Sequence, residues 1–315
     1  MAFDNPTDAY TGTDLAAMIP EIWTPIVNEP NFPKAVAANF FTDLSPYAMD
    51  GGDTLHVPDI YTNVFSAQTQ STQGNGVVDE SVAQVDVTLS IDTHKYVAWI
   101  IGKKDMKQLA TKYQLNEKYA KEAKNVLIQA LEDSIFGLWS SLTTNTVGDT
   151  ATVLTDNEIV SSIEKLASLD YDLNECAFFF HPFVYWRQIV TIAKYYTWQT
   201  SQLPVIRDGN FGPMDASRGL QGQLYGIPVF TSTRVVQGLS TYRNLLAHPS
   251  AFGFAIQTQG IATEDMQGPA RVSVDAQYLL QNLGLLTVAD IIYGVAVLRE
   301  PAAVLINAND TAITS

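Results

Sequence analysis

The chain has 315 residues, 46% of them apolar and only 16% charged, with a net charge of −15. That length exceeds one small core and suggests two lobes or one elaborated domain. The charged share falls well below the usual quarter or so, which hints at much surface buried against other chains, while the acidity argues against a dedicated nucleic-acid binder.

Cys176 is alone, so no disulfide framework or cysteine-based zinc site is available. The opening MAFDNPTDAYTGTD is acidic and polar, unlike a secretory leader. The most apolar run, AFFFHPFVYW (177–186), is about half a membrane span and is broken by Pro182. The expectation is a soluble protein of a reducing cytoplasm.

In chain order, residues 1–17 read as a loose arm. MIPEIWTPIVNE (18–29) and PKAVAANFF (33–41) read as short helical pieces punctuated by prolines. Gly51-Gly52 marks a turn. Thr54–Ile60 begins a strand, and Pro58 inside it places that strand on an edge. In the return strand Val85, Val87, Leu89 and Ile91 alternate with Asp86, Thr88, Ser90 and Asp92, the period of a half-buried strand. Between the two lies AQTQSTQGNGVVDES (67–81), long and polar, with a turn signal at GNG. A two-stranded ribbon is marginal alone in water, so it either folds back on its own body or lies on a neighbour.

KKDMKQLATKY (103–113) reads as a short amphipathic helix. Asn116 is placed to cap a longer one, whose stripe runs through Tyr119, Ala123, Val126, Leu127, Ala130, Leu131, Ile135, Leu138, Trp139 and Leu142. Glu132 and Asp133 are assigned to its wet face. A linker (143–156) follows, and Thr155 or Asp156 caps a helix over 157–169. ECAFFFHP (175–182) reads as a buried strand, and Pro182 opens a helix. A long polar loop (200–223), strands at 225–235 and 243–257, and then strands at 270–280, 285–299 and 302–306 complete the chain. Residues 155–260 read as a compact α/β lobe.

Charge is uneven. Residues 1–100 hold 13 acids and two bases, whereas residues 101–125 hold seven of the eleven lysines and only three acids. Enzyme signatures are missing: no phosphate loop, no HExxH, no nucleophile elbow and no CxxC. GNGVVD (74–79) lacks the third glycine of a dinucleotide fingerprint and reads as a turn. DGNFGPMD (208–215) breaks the EF-hand spacing. His56 and His94 are placed in the two ribbon strands, facing each other as a plain cross-strand pair rather than a metal site. His181 and His248 precede prolines and read as strand ends. Cys176 beside the Phe run reads as a buried small apolar residue.

Several pieces stand in a familiar order. Ile19-Pro20-Glu21-Ile22-Trp23 lies in the N-terminal arm, and Gly52-Asp53-Thr54-Leu55-His56-Val57-Pro58 enters the ribbon. A long helix ends near Asp133-Ser134-Ile135-Phe136-Gly137. Gly226-Ile227-Pro228-Val229 follows in the central lobe, and Tyr293-Gly294-Val295-Ala296-Val297 in the late strands. Over nearly its whole length the chain resembles the major capsid (coat) proteins of tailed bacteriophages, with the Hong Kong-97-type fold.

That resemblance implies an α+β chain with an N-terminal arm (1–50) and an extended β-hairpin loop (51–100). It implies a peripheral domain with a long spine helix (101–149), an α/β axial domain (150–261) and peripheral return strands (262–315). It further implies self-assembly into hexamers and pentamers of an icosahedral shell that encloses packaged double-stranded DNA without sequence-specific binding. A portal and scaffolding or decoration proteins would be partners, and the virion, assembled in the host cytoplasm, the location. No membrane, catalytic residue, cofactor or metal is implied. The ribbon would be held by the next subunit. Some family members weld this loop to a neighbour through a Lys–Asn isopeptide bond; residues 51–94 contain no lysine, so no such crosslink is expected from the ribbon tip. No long charged helical prefix is seen, so a fused scaffolding segment is not expected.

The charge map suggests a subunit interface in which Asp79 and Glu80, past the ribbon tip, meet Lys103, Lys104 and Lys107 of an adjacent copy. The same lysines also read as a solvent-facing helix, or as facing packaged DNA. Two rival functions remain: an encapsulin-like nanocompartment shell, and a soluble hydrolase in the 155–260 lobe requiring His181, Asp208 and His248 to converge.

Overall fold

The computed structural model describes residues 35–48, 51–60, 84–105, 107, 115–192, 220–238, 241–257 and 272–311. The N-terminal arm before residue 35, the ribbon tip with Asp79 and Glu80, and the DGNFGPMD loop with Asp208 lie outside the described residues.

The described chain starts with α1 (Ala37–Phe40), β1 (Thr42–Asp43) and α2 (Ser45–Ala48). Gly51 and Gly52, at φ 100° and 113°, make the expected turn. β2 (Thr54–Ile60) then pairs antiparallel with β3 (Gln84–Ser90) in a separate two-stranded sheet, with Pro58 opposite Asp86. Among the described residues β2 has no other strand partner, so the missing proline N–H costs the ribbon no second ladder there. Leu89 and Ile91 are buried while Asp86, Thr88 and Ser90 face solvent, as the alternation requires.

A strand that the sequence reading left inside the loop follows at once: β4 (Thr93–Gly102) pairs along its whole length with a late strand, from Thr93↔Tyr293 to Gly102↔Gly284. His94 therefore lies on this third strand, whereas His56 stands opposite Thr88, and the expected His56–His94 pair does not form. β4 has no clean two-residue period in sequence because His94, Lys95 and Tyr96 are all exposed and Val97–Ile101 is apolar on both faces.

After the three-residue helix α3 (Lys103–Asp105) comes the long helix α4 (Leu115–Gly137), continued by a 3-10 turn (Leu138–Ser141). Asn116 is inside this helix rather than capping it. Ala123, Leu127, Leu131, Ile135 and Trp139 are buried along it, but Tyr119 and Val126 of the expected stripe are exposed. The remaining elements are β5 (Thr146–Val147), α5 (Asp156–Ala167), β6 (Ala177–Phe180), α6 (Pro182–Val184), β7 (Leu220–Leu224), β8 (Ile227–Thr231), β9 (Thr241–Ala247), β10 (Phe252–Ile256), β11 (Ser273–Leu279), β12 (Gly284–Val297) and β13 (Ala303–Asn309). A π-turn (Tyr185–Ile189) extends α6.

Between the two cap candidates of α5, the structure selects Thr155. Its backbone N–H donates to Glu158 Oε2 at 2.6 Å within a capping box. Tyr225 and Gly226, both at positive φ (55° and 84°), close the β7–β8 hairpin.

Two larger sheets carry the body. One runs β5-β13-β9-β6-β8-β7; the other runs β1-β10-β12-β11 with β4 also on β12. Both faces of β6 are covered, which explains its unbroken apolar run. Phe178 and Phe180 stack on one side at 5.3 Å, while Phe179 points the other way onto Phe40, Phe41, Phe230 and Trp139. Fully burying each such ring is worth about 1.5–3 kcal/mol.

The sheets exchange strands across the 150–261 stretch: β10 belongs with β12, and β13 with β9. The two crossovers clasp each other. His248 N–H donates to Ala302 O (3.0 Å), and Leu298 and Arg299 N–H both donate to Ala251 O (2.9 and 3.1 Å). Among the described residues no helix is long and apolar enough to cross a membrane.

Candidate assembly surfaces

Three surfaces stand out from the packed body. The first is a tongue in which β4 pairs with the first ten residues of β12 and β11 with the first seven. The flanking strands are the solvated part: β11 is mostly exposed, and Tyr96, Ile100, Val274, Tyr278, Leu280 and Leu283 are exposed, whereas Thr287 and Ala289 of β12 are buried. The tip is the most apolar part: Leu280 is 79% and Leu283 62% exposed. Leu283 also takes a left-handed backbone (φ 45°), uncommon for a bulky apolar residue. The lysines meet this tip. Lys103 N–H donates to Leu283 O at 2.8 Å, which sets α3 beside it, and Lys103, Lys104 and Lys107 are all exposed. The structure thus seats Lys103 beside the exposed Leu283, while the candidate partners Asp79 and Glu80 lie outside the described residues.

The second surface is the ribbon. Its base is held by its own chain: Ile91 N–H donates to Asp53 O (2.7 Å), Gln257 Nε2 donates to Gly52 O (3.0 Å), and Leu89 and Ile91 pack with Leu44, Ala48 and Ala255. His56 is satisfied within the ribbon, with Nδ1 2.6 Å from Asp86 Oδ2, and His94 lies 3.0 Å from Asp290. The third surface is a shallow groove of about 240 Å³ between β4 and α4, lined by Val97, Trp99, Tyr119, Glu122, Ala123 and Val126. The two residues that left the expected stripe, Tyr119 and Val126, form part of its wall.

Among the described residues of the 155–260 lobe, His181 and His248 are engaged in local structure. His181 caps α6 by accepting from Phe183 N–H (3.2 Å) and stacks on Tyr242; burial holds its imidazole below the ordinary range. His248 accepts from Ser250 N–H (3.3 Å) and lies 2.9 Å from Glu175. Cys176 is buried, and burial together with Asp172 and Glu175 pushes its thiol up to about 11, far from a reactive thiolate. No cluster of three or more metal-ligating side chains occurs among the described residues.

Glu132 corrects the sequence reading most sharply. It is 2% exposed, not on the wet face. Its carboxylate accepts from three successive backbone N–H groups, those of Val36 (3.1 Å), Ala37 (3.2 Å) and Ala38 (2.7 Å). The signal was available: position 132 sits four residues after Ile128 and three before Ile135, both buried on one face. Asp133 does stand on the exposed side, where Arg234 Nη1 donates to both of its carboxylate oxygens at 3.0 and 3.2 Å.

No family model and no curated protein matches the sequence. Solved structures do match in shape. A chain of the capsid of the cyanophage P-SCSP1u superposes with a TM-score of 0.69 at 13% identity, over 97% of this chain and 98% of that one. A chain from Mycobacterium phage Che8 gives 0.65 at 15% identity, over 91% and 96%. The holo-SrpI encapsulin of Synechococcus elongatus gives 0.63 at 11% identity, over 98% and 99%. These likenesses are of fold. The chain is an α+β protein with the Hong Kong-97-type fold of phage capsid subunits.

Proposed function

We propose that this chain is the major capsid protein of a tailed phage, a structural subunit rather than an enzyme. In this reading it assembles with copies of itself into hexamers and pentamers of an icosahedral shell around double-stranded DNA. Its place is the virion, after assembly in the host cytoplasm, with a portal and separate scaffolding or decoration proteins as partners. The spine helix is α4, within a peripheral domain at 101–149 and 262–315; the axial domain spans 150–261, and the arm (1–50) and loop (51–100) reach neighbours.

The observation that carries the reading is the end-to-end likeness to capsid chains, more than 90% of both chains in each comparison above. The solvated apolar tongue supports it, since an isolated monomer gains nothing from exposed leucines at a hairpin tip. Lys103, Lys104 and Lys107 beside that tip would receive Asp79 and Glu80 of an adjacent copy. Each exposed pair contributes only about 0–1 kcal/mol, but repetition over many contacts would set register. The test is negative-stain microscopy of the expressed protein: closed particles are expected, and a dispersed small protein contradicts the reading. Reversing Lys103, Lys104 and Lys107 to Glu should leave subunits soluble and folded but stop particle formation; intact particles from that variant would remove the lysines from the interface.

The encapsulin likeness supports a second reading, a nanocompartment shell that encloses protein. Particle contents separate the two: nuclease-protected DNA for a phage shell, co-purifying protein cargo for a compartment.

A further inference from the structure

The ribbon leaves the body at a point where two backbones nearly touch. β3 ends at Ser90, and β4 starts soon after it with Thr93 opposite Tyr293. The chain therefore crosses β12 beside the next residue, Gly294. A Cβ placed at Gly294 would overlap Ser90 O and stand 2.9 Å from Leu89 Cδ2, so this crossing needs a glycine. The ribbon's other leg enters through Gly51 and Gly52, where an added Cβ would meet nothing within 4 Å. That leg is open and the Ser90 leg is not. Leu89 and Ile91 are buried beside the crossing with Leu44, Ala48 and Ala255, and Ala255 stands opposite Gly294 in the β10–β12 ladder.

We propose that Gly294 is the seat of the ribbon: a positioning residue that sets, through Ser90 and Leu89, the direction in which the β2–β3 ribbon leaves the subunit. Carbon and oxygen approach no closer than about 3.3 Å even in Cα–H···O contacts, so a methyl at 294 must displace Ser90 by on the order of 1 Å. β12 is poorly placed to yield, because it is laddered to β10 at Gly294 and to β4 up to Tyr293. The ribbon can yield, because among the described residues its two strands pair only with each other. From its end at Ser90, β3 runs back to Gln84, roughly 20 Å of strand, so a small lift at the seat becomes a larger one along the ribbon. What the turned ribbon would then fail to reach on a neighbour rests on the shell reading; its direction belongs to one subunit.

Pulsed dipolar spin-label distances test this. Nitroxides are placed on Gln84→Cys, at the far end of β3, and on Ser140→Cys, an exposed position at the end of the long helix; the native Cys176 is buried. The full-length labelled protein is diluted into unlabelled copies, so that distances within one chain are read whether or not the copies assemble. Wild type should give one narrow distance. Gly294→Ala should keep a cooperative melt and move that distance by about 2 Å or more, given the length of the lever. Gly148→Ala controls for damage alone: a Cβ there would overlap Asn307 O, a similar meeting of two backbones beside β5 in the six-stranded sheet, and it should leave the distance unchanged. If Gly294→Ala fails to fold, Leu89→Ala decides, since it removes the side chain resting on the seat without altering β12 and should broaden the distance. A broad wild-type distance, an unmoved distance in Gly294→Ala, an equal shift in Gly148→Ala, or no broadening in Leu89→Ala would each overturn the proposal. Particle formation is not the readout, so this proposal and the shell reading fail separately.

Discussion

Two strands, β6 and β11, end in opposite surroundings. In β6 every residue, Ala177 to Phe180, is buried between two neighbouring strands and two apolar faces. In β11 no residue from Ser273 to Leu279 is fully buried, although Val274, Tyr278 and Leu279 are as apolar as the residues of a core strand. The contrast separates what the chain folds for itself from what it leaves for others. The six-stranded sheet is complete within one subunit. The tongue of β11, β12 and β4 keeps its backbone ladder but leaves β11 and the leucines of its tip largely solvated.

The comparison can be broken first where the packing is densest. Phe179→Ala removes the ring shared by Phe40, Phe41, Phe230 and Trp139. It should cost about 3–5 kcal/mol in urea unfolding, as large-to-small core changes do; a loss under about 1 kcal/mol would mean that this ring is not the shared packing point. The opposite pole is sharper in what it leaves untouched. Leu280→Asp with Leu283→Asp should shift subunit stability by less than about 0.5 kcal/mol, as exposed positions do, yet suppress particles seen by microscopy. Unfolded subunits would show that the tip supports its own chain instead.

A smaller effect tests the crossover between the sheets. Glu300 accepts from Thr143 and Thr144 N–H at 2.7 and 2.9 Å, and these bonds hold its carboxyl below the ordinary range. A depressed folded value stabilises the fold above the ordinary carboxylate range, and that stabilisation is lost as pH falls through the depressed value. Glu300→Gln should flatten this acid-side loss slightly in thermal melts, with no change near neutrality in its slope.

Much of this architecture was legible in the residues. The 54–60 and 84–90 strands, the long helix, the buried Phe run and the late strands each carry a strong period or a bounded apolar run, and each is found. What escaped shares one physical cause: the missing information is long-range. β4 has no period of its own because its partner, β12, lies nearly two hundred residues away. Glu132 looks like surface charge until the turn at Val36–Ala38 arrives with three donors. Strand exchange between the sheets, β10 outward and β13 back, is invisible locally because it depends on short 3-10 crossovers at Pro249–Ala251 and Glu300–Ala302. The candidate lysines were found by charge counting, but their seat beside Leu283 needed the fold.

The account rests on copies of this chain covering one another's solvated apolar tongue and lysine-bearing tip. Sedimentation velocity of the freshly expressed full-length protein measures that most directly. The predicted result is a discrete megadalton species that the Leu280→Asp, Leu283→Asp variant fails to form; a wild-type protein sedimenting wholly as a monomer would contradict it.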